Sequence, residues 1–103
     1  MTKSELIALI GTKQPNLQQK DVEFAINCIV EIMIAAVVAG ERIEVRGFGG
    51  FTTVPHKARI GRNPKTGEAV SIPDRHAVHF KPGQDMRLRV DRSKHEHPTI
   101  EDL

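Results

Sequence analysis

Arg62-Asn63-Pro64-Lys65 puts two cations around a rigid apolar ring, and Lys57 and Arg59 stand just upstream. The cations are suited to neutralising phosphates. Pro64 is a small wedge that cannot rearrange. Proteins that enter the minor groove of a duplex combine these features: Arg or Lys in the groove, an apolar residue between base steps, and a kink as the result. From Glu44 to Glu68 no acid intervenes, while Arg46, Lys57, Arg59, Arg62 and Lys65 do occur. A basic run is more often a solvated surface than a binding site, so charge alone decides little. The wedge beside it is what gives the run a task.

The formal net charge of +2 conceals a segregation. Residues 1–40 carry a net −1, residues 41–91 a net +4, and residues 92–103 a net −1. A basic middle on a nearly neutral chain points to a polyanion partner. A second group lies at residues 41–46, where Ile43 and Val45 alternate with Arg42, Glu44 and Arg46. Period-two alternation predicts a strand with the three charged residues on one face. Lys3, Lys20, Lys81 and Arg87 are further candidates for phosphate contact, each weak alone. The starts of the first and third helices could offer free amides to phosphates as well.

Those residues need elements to position them. The first helix is predicted over residues 2–13, opened by a Thr2–Glu5 capping box and ended by Gly11 and Pro15-Asn16. The second is predicted over 18–39 and stopped by Gly40. From Cys28 to Ala39, eleven of twelve residues are apolar, with Glu31 the exception. A helix apolar nearly all round must be buried nearly all round. The chain has only four aromatics, Phe24, Phe48, Phe51 and Phe80, which is thin cover for such a helix in a monomer. A second copy or a close relative wrapped around the same helices is the expected solution.

A body hairpin is expected over 41–54, with glycines at 47, 49 and 50 marking a tight turn and a close backbone approach. Residues 55–73 read as a long hairpin arm: strands at roughly 56–61 and 68–73 flank a tip in which Pro64 presets one turn residue and Gly67 another. The arm has too little apolar bulk to form a core, so it is expected to project. At ~3.3 Å per residue its reach is roughly 20–25 Å. A strand at 76–81, with Val78 and Phe80 inward, precedes a short helix at 84–90 that docks through Met86 and Val90. Residues 1–92 thus read as one α+β domain, and 93–103 as a disordered polar tail.

Three segments, Gly47-Phe48-Gly49-x-Phe51, Gly61-Arg62-Asn63-Pro64-Lys65-Thr66-Gly67 and Phe80-Lys81-Pro82-Gly83, together resemble the signature of the integration host factor and HU family. The resemblance spans residues 1 to about 92. Thr2-Lys3-Ser4-Glu5-Leu6 and Gly40-Glu41-Arg42-Ile43-Glu44-Val45-Arg46 resemble the beta-type chains of integration host factor more than its alpha-type chains or HU. The family is itself a standard example of minor-groove architectural proteins, so bending is implied by the resemblance and not by spacing. The resemblance implies an intertwined dimer, with an alpha-type subunit or a second copy as partner, whose arms wrap double-stranded DNA and insert a proline each. It makes Pro64 the wedge, with Arg62, Asn63 and Lys65 around it. It also matches Arg42, Glu44 and Arg46 to a cluster that helps choose the preferred site, Glu44 positioning Arg46 in the groove; a plain surface salt-bridge row is the alternative. Gly50, Thr52-Thr53-Val54-Pro55 and the long tail depart from the family pattern.

Two rival functions remain at this level. An enzyme or metal protein would have to use His76, His79, His95 and His97. His76 and His79, three apart in a strand, face opposite sides, and no nucleophile–base pair or phosphate-cradling loop is present. No catalysis, cofactor or metal is expected. The second rival is an HU-like homodimer that packages DNA without a preferred site; the Arg42-Glu44-Arg46 face argues for the more selective reading. The start Met1-Thr2-Lys3-Ser4-Glu5 lacks a signal peptide, and the longest apolar run, Ile32 to Ala39, is far below the ~20 residues that span a bilayer. A lone cysteine, Cys28, reads as a small core residue. A cytoplasmic, nucleoid-associated protein with no membrane contact is expected.

Overall fold

The computed structural model describes residues 1–97; residues 98–103, the remainder of the expected tail, lie outside the described residues. Helix α1 (Lys3–Lys13) opens on the capping box that its sequence encodes. Thr2 Oγ1 accepts from the Glu5 amide at 3.2 Å, and Glu5 Oε2 accepts from the Thr2 amide at 3.3 Å. The helix passes through Gly11 without stopping and ends at Lys13. Helix α2 (Gln19–Val38) ends in a Schellman pattern: the Gly40 amide donates to the Val37 carbonyl and the Glu41 amide to the Ala36 carbonyl, each at 2.9 Å.

Strands β1 (Ile43–Val45), β2 (Gly49–His56) and β5 (Arg75–Pro82) form an antiparallel sheet in the order β1-β2-β5. Strands β3 (Arg59–Arg62) and β4 (Ala69–Ile72) form a separate two-stranded ribbon, the arm. Helix α3 (Gln84–Arg92) follows. Strand β1 is half as long as the alternation at 41–46 suggests: residues 41 and 42, just past the end of α2, lie outside it, and residues 46–48 already turn. β2 continues through Pro55 to His56, paired with β5 at every step. Proline is tolerated there because β1 pairs only with residues 49–51, leaving the other edge of β2 open at Pro55. Past α3, Ser93–His95 form a 3-10 turn, with Ser93 Oγ donating to the Val90 carbonyl at 2.8 Å. The start of the expected disordered tail therefore continues the helix.

Gly49 is required by a close approach. A Cβ there would lie 2.6 Å from both the Lys81 carbonyl oxygen and Phe80 Cζ. Phe80 covers the glycine from the neighbouring strand, an arrangement that fills the gap a missing side chain leaves. The same ring packs in tilted geometry against Phe51, with centroids 4.8 Å apart, and Phe48, 5.3 Å apart. These rings form the sheet's small apolar cluster.

Little else is covered. Among the described residues only Ile7 and Val22, which join α1 to α2, are buried hydrophobics. On α2, Phe24 is 71% exposed, Ile32 69% and Val38 81%. Val78, expected inward, shares the Phe51–Phe80 face but is 61% exposed; Val90, expected to dock, is 62% exposed. The radius of gyration is 19.2 Å, against about 13 Å for a compact chain of this length. The fold presents an apolar helical surface and a projecting arm, neither covered by the chain itself.

Candidate nucleic-acid interface

The arm tip is built by local hydrogen bonds. The Asn63 amide donates to the Glu68 carbonyl at 2.9 Å, closing the ribbon, and the Gly67 amide donates to the Asn63 carbonyl at 2.7 Å. The Asn63 side-chain oxygen accepts from the Lys65 amide at 2.9 Å, an Asx turn that fixes the backbone around Pro64. Gly67 sits at φ +73°, a conformation other residues adopt at a cost. Arg62 Nη1 reaches across to the Gly67 carbonyl at 3.0 Å. Pro64 and Lys65 are therefore held on a preformed, exposed loop, with Arg62 laid along its side and Asn63 half-buried beneath it. Arg59 lies on β3 and Lys57 in the link between β2 and β3.

A second surface lies on the body. Arg42, Glu44, Arg46, Lys81 and Arg87 line one open groove of about 810 Å³ between the β1–β2 turn and the start of α3. Four cations thus face one carboxylate. Glu44 Oε1 pairs with Arg42 Nη2 at 2.7 Å. In the free chain, then, the acid is paired with Arg42 and not with Arg46. Among the described residues Arg46, Lys81 and Arg87 have no acidic partner.

Helix starts differ in what they offer. At α1 the Thr2 hydroxyl already takes up the Glu5 amide and the Glu5 carboxylate the Thr2 amide, which places an acid at that helix start. At α3 the N-cap is Gly83, with no side-chain cap, and Gly83 and Gln84 line the groove. An uncapped helix start attracts anions through its free amides and its dipole. The groove also contains Thr52 and Gln84, which sequence reasoning did not single out; Thr52 pairs across the sheet with His79, two residues from Lys81, and Gln84 follows Gly83 along the chain. Lys3 and Lys20, at the first turns of α1 and α2, are exposed and line neither groove nor arm.

The family model for bacterial DNA-binding proteins matches residues 1–91. The chain is 52% identical over 98 residues to an integration host factor subunit beta of Halorhodospira halophila, a match covering 95% of this chain and 96% of the relative. The corresponding subunit of Alkalilimnicola ehrlichii is 52% identical over 95 residues, covering 92% and 95%. Among solved structures, HU of Anabaena in a cocrystal with DNA superposes with a TM-score of 0.78 at 33% identity, covering 87% of this chain and 97% of that one. A mutant of HU from Thermotoga maritima gives 0.61 at 27% identity, covering 87% and 99%. A match this long, carried through helices, sheet and arm alike, places the chain: it belongs to the bacterial DNA-binding protein family that includes integration host factor and HU.

Proposed function

We propose that this chain is the beta-type half of an integration host factor, a dimer that bends double-stranded DNA through its minor groove. The observation that carries the reading is the arm: a ribbon whose tip is prebuilt around Pro64 and flanked by Arg62 and Lys65. A prearranged cationic tip loses little entropy on entering a groove, so more of its contact energy appears as affinity. Pro64 partly unstacks one base step, and the bend brings the flanking duplex down onto the body. There the groove of Arg42, Arg46, Lys81 and Arg87, with the open start of α3, receives phosphates. Lys3, Lys57 and Arg59 add charge along the flanks.

The uncovered face of α2 supplies the dimer. Burying a large apolar side chain contributes about 1.5–3 kcal/mol, and α2 leaves Phe24, Ile29, Ile32, Ile34 and Val38 uncovered. An alpha-type subunit fits the similarity to beta-type chains; a second copy offers the same apolar face. Residues 1–92 act as one unit in this reading. The work follows from bending: bringing distant sites together in recombination, replication and transcription, within the nucleoid. Among the described residues no helix is long and apolar enough to cross a membrane.

Energy transfer between the ends of a duplex carrying a preferred site tests the reading. The wild-type dimer should bring the ends together. Pro64→Ala, which keeps Arg62 and Lys65, should lose more bend than non-specific affinity. Log affinity should fall with log salt at about −0.9 per phosphate neutralised. Unchanged end-to-end distance in the wild type, or a flat salt dependence, contradicts groove wrapping.

A further inference from the structure

Pairing of β2 with β5 sorts their side chains onto two faces. Phe51 and Phe80, Thr53 and Val78, and Pro55 and His76 stand opposite one another on the face bearing the aromatic cluster. Gly50 and Lys81, Thr52 and His79, Val54 and Ala77, and His56 and Arg75 stand on the other. Glu44, Gly50, Thr52 and Lys81 line the groove, so this second face is the groove floor continued toward the arm. Steps of two residues advance about 7 Å along a strand. Lys81 is followed by His79 after one such step and by Arg75 after two more, with His56 directly across from Arg75.

His56, Arg75 and His79 are exposed. Among the described residues none of them makes a side-chain hydrogen bond or ion pair. The charged groups around them are Lys81 and Glu44 at the groove end, the latter taken up by Arg42, and Lys57 beside His56 and Asp74 beside Arg75 at the arm end. Cations therefore outnumber acids along the whole face, and two of the positions are imidazoles.

We propose that His56, Arg75 and His79 form a proton-tuned phosphate track that carries the duplex from the body groove to the root of the arm. The inference rests on the DNA-binding reading above. Arg75 neutralises phosphate at every working pH, whereas an imidazole does so only when protonated. Imidazole is the side chain whose ordinary titration lies between pH 5 and 8. DNA favours the protonated form, so by linkage affinity rises as pH falls and levels off once both imidazoles carry a proton. His76, on the opposite face, takes no part.

The test is binding of the full dimer to a random-sequence duplex, at several salt concentrations, near pH 7.5 and near pH 5.5. Wild type should bind roughly tenfold tighter at the lower pH, its salt slope steeper by about 0.9 for each added contact. H56Q and H79Q together should abolish that gain and keep affinity at the higher pH within about twofold, the neutral side chains having carried no phosphate there. H76Q should keep the gain. R75Q should weaken binding at both pH values and flatten the slope by about one per chain. In wild type at fixed pH, adding DNA should shift the His79 imidazole resonance toward the protonated form. A gain that survives H56Q/H79Q, or is lost in H76Q, overturns the track. Absence of binding by wild type at either pH overturns the DNA-binding reading itself, and is thereby told apart.

Discussion

On α2 the uncovered surface is made of Phe24, Ile29, Ile32, Ile34 and Val38; at the arm tip it is made of Arg62, Pro64, Lys65 and Thr66. Both regions stand clear of the chain's own small core of Ile7 and Val22. The first surface repels water and is completed by protein. The second is exposed, charged and internally hydrogen-bonded, its shape set by contacts within the tip itself. Exposure in the single chain thus has two meanings. In α2 it marks a fold that is incomplete without a partner, and in the arm it marks a finished tool. Stability should therefore reside in the helices and function in the arm and groove, and substitutions should separate the two.

The largest separation is expected from Ile32→Asp. An unpaired carboxylate on a face that must be buried costs about 3–5 kcal/mol, a large share of the ~5–15 kcal/mol of a typical domain. Sedimentation should show loss of the dimer, and circular dichroism loss of helix, with DNA binding lost as a consequence. Arg62→Ala with Lys65→Ala should leave both signals unchanged and still weaken DNA binding. If Ile32→Asp remains a folded, compact monomer, the comparison is wrong at its root.

A middle-sized effect is expected where the two regions join. Gly49→Ala forces a methyl within 2.6 Å of the Lys81 carbonyl and the Phe80 ring, so either the β2–β5 pairing or the aromatic cluster must shift. Overpacking of this kind costs about 1–3 kcal/mol. Thermal unfolding should shift downward, and groove affinity should fall with it, because Lys81 belongs to both. A drop in melting temperature with unchanged groove affinity would show that the sheet and groove are less tightly coupled than the contact implies.

The same contrast explains what was legible from sequence. The Thr2–Glu5 box, the stop at Gly40 and the tip from Arg62 to Gly67 depend on residues within five of one another, so the chain spells them out. Burial on α2 was legible as a need for cover. Features that depend on distant residues were not. Val78 has the period of a core residue, yet no residue of this chain buries it. Gly49 could be read as a close approach, but not as an approach by Phe80. Glu44 lies two residues from Arg42 and two from Arg46, so spacing is symmetric and cannot select its partner. The backbone turn at residues 46–48 breaks that symmetry, and Arg42 takes the pair.

That pair gives the smallest expected effect and the finest test. Its side chains are 67% and 69% exposed, so it contributes of order 0–1 kcal/mol to stability. Glu44→Ala should leave melting and dimerisation unchanged. It frees Arg42 and removes the one carboxylate in a groove of four cations, so affinity for random DNA should hold or rise. Preference for the best site should fall. A mismatched base pair typically costs ~1–3 kcal/mol, and losing discrimination at one position should compress the specificity ratio by about that amount. Competition between a preferred site and a variant altered only beside this groove measures it. The Arg42→Ala background then decides the route. If Glu44→Ala no longer changes specificity there, Glu44 acts by holding Arg42. If the loss persists undiminished, Glu44 acts on DNA directly or through Arg46, and the pair seen in the free chain is exchanged on binding. Equal weakening of both sites by Glu44→Ala would instead assign the residue to the fold.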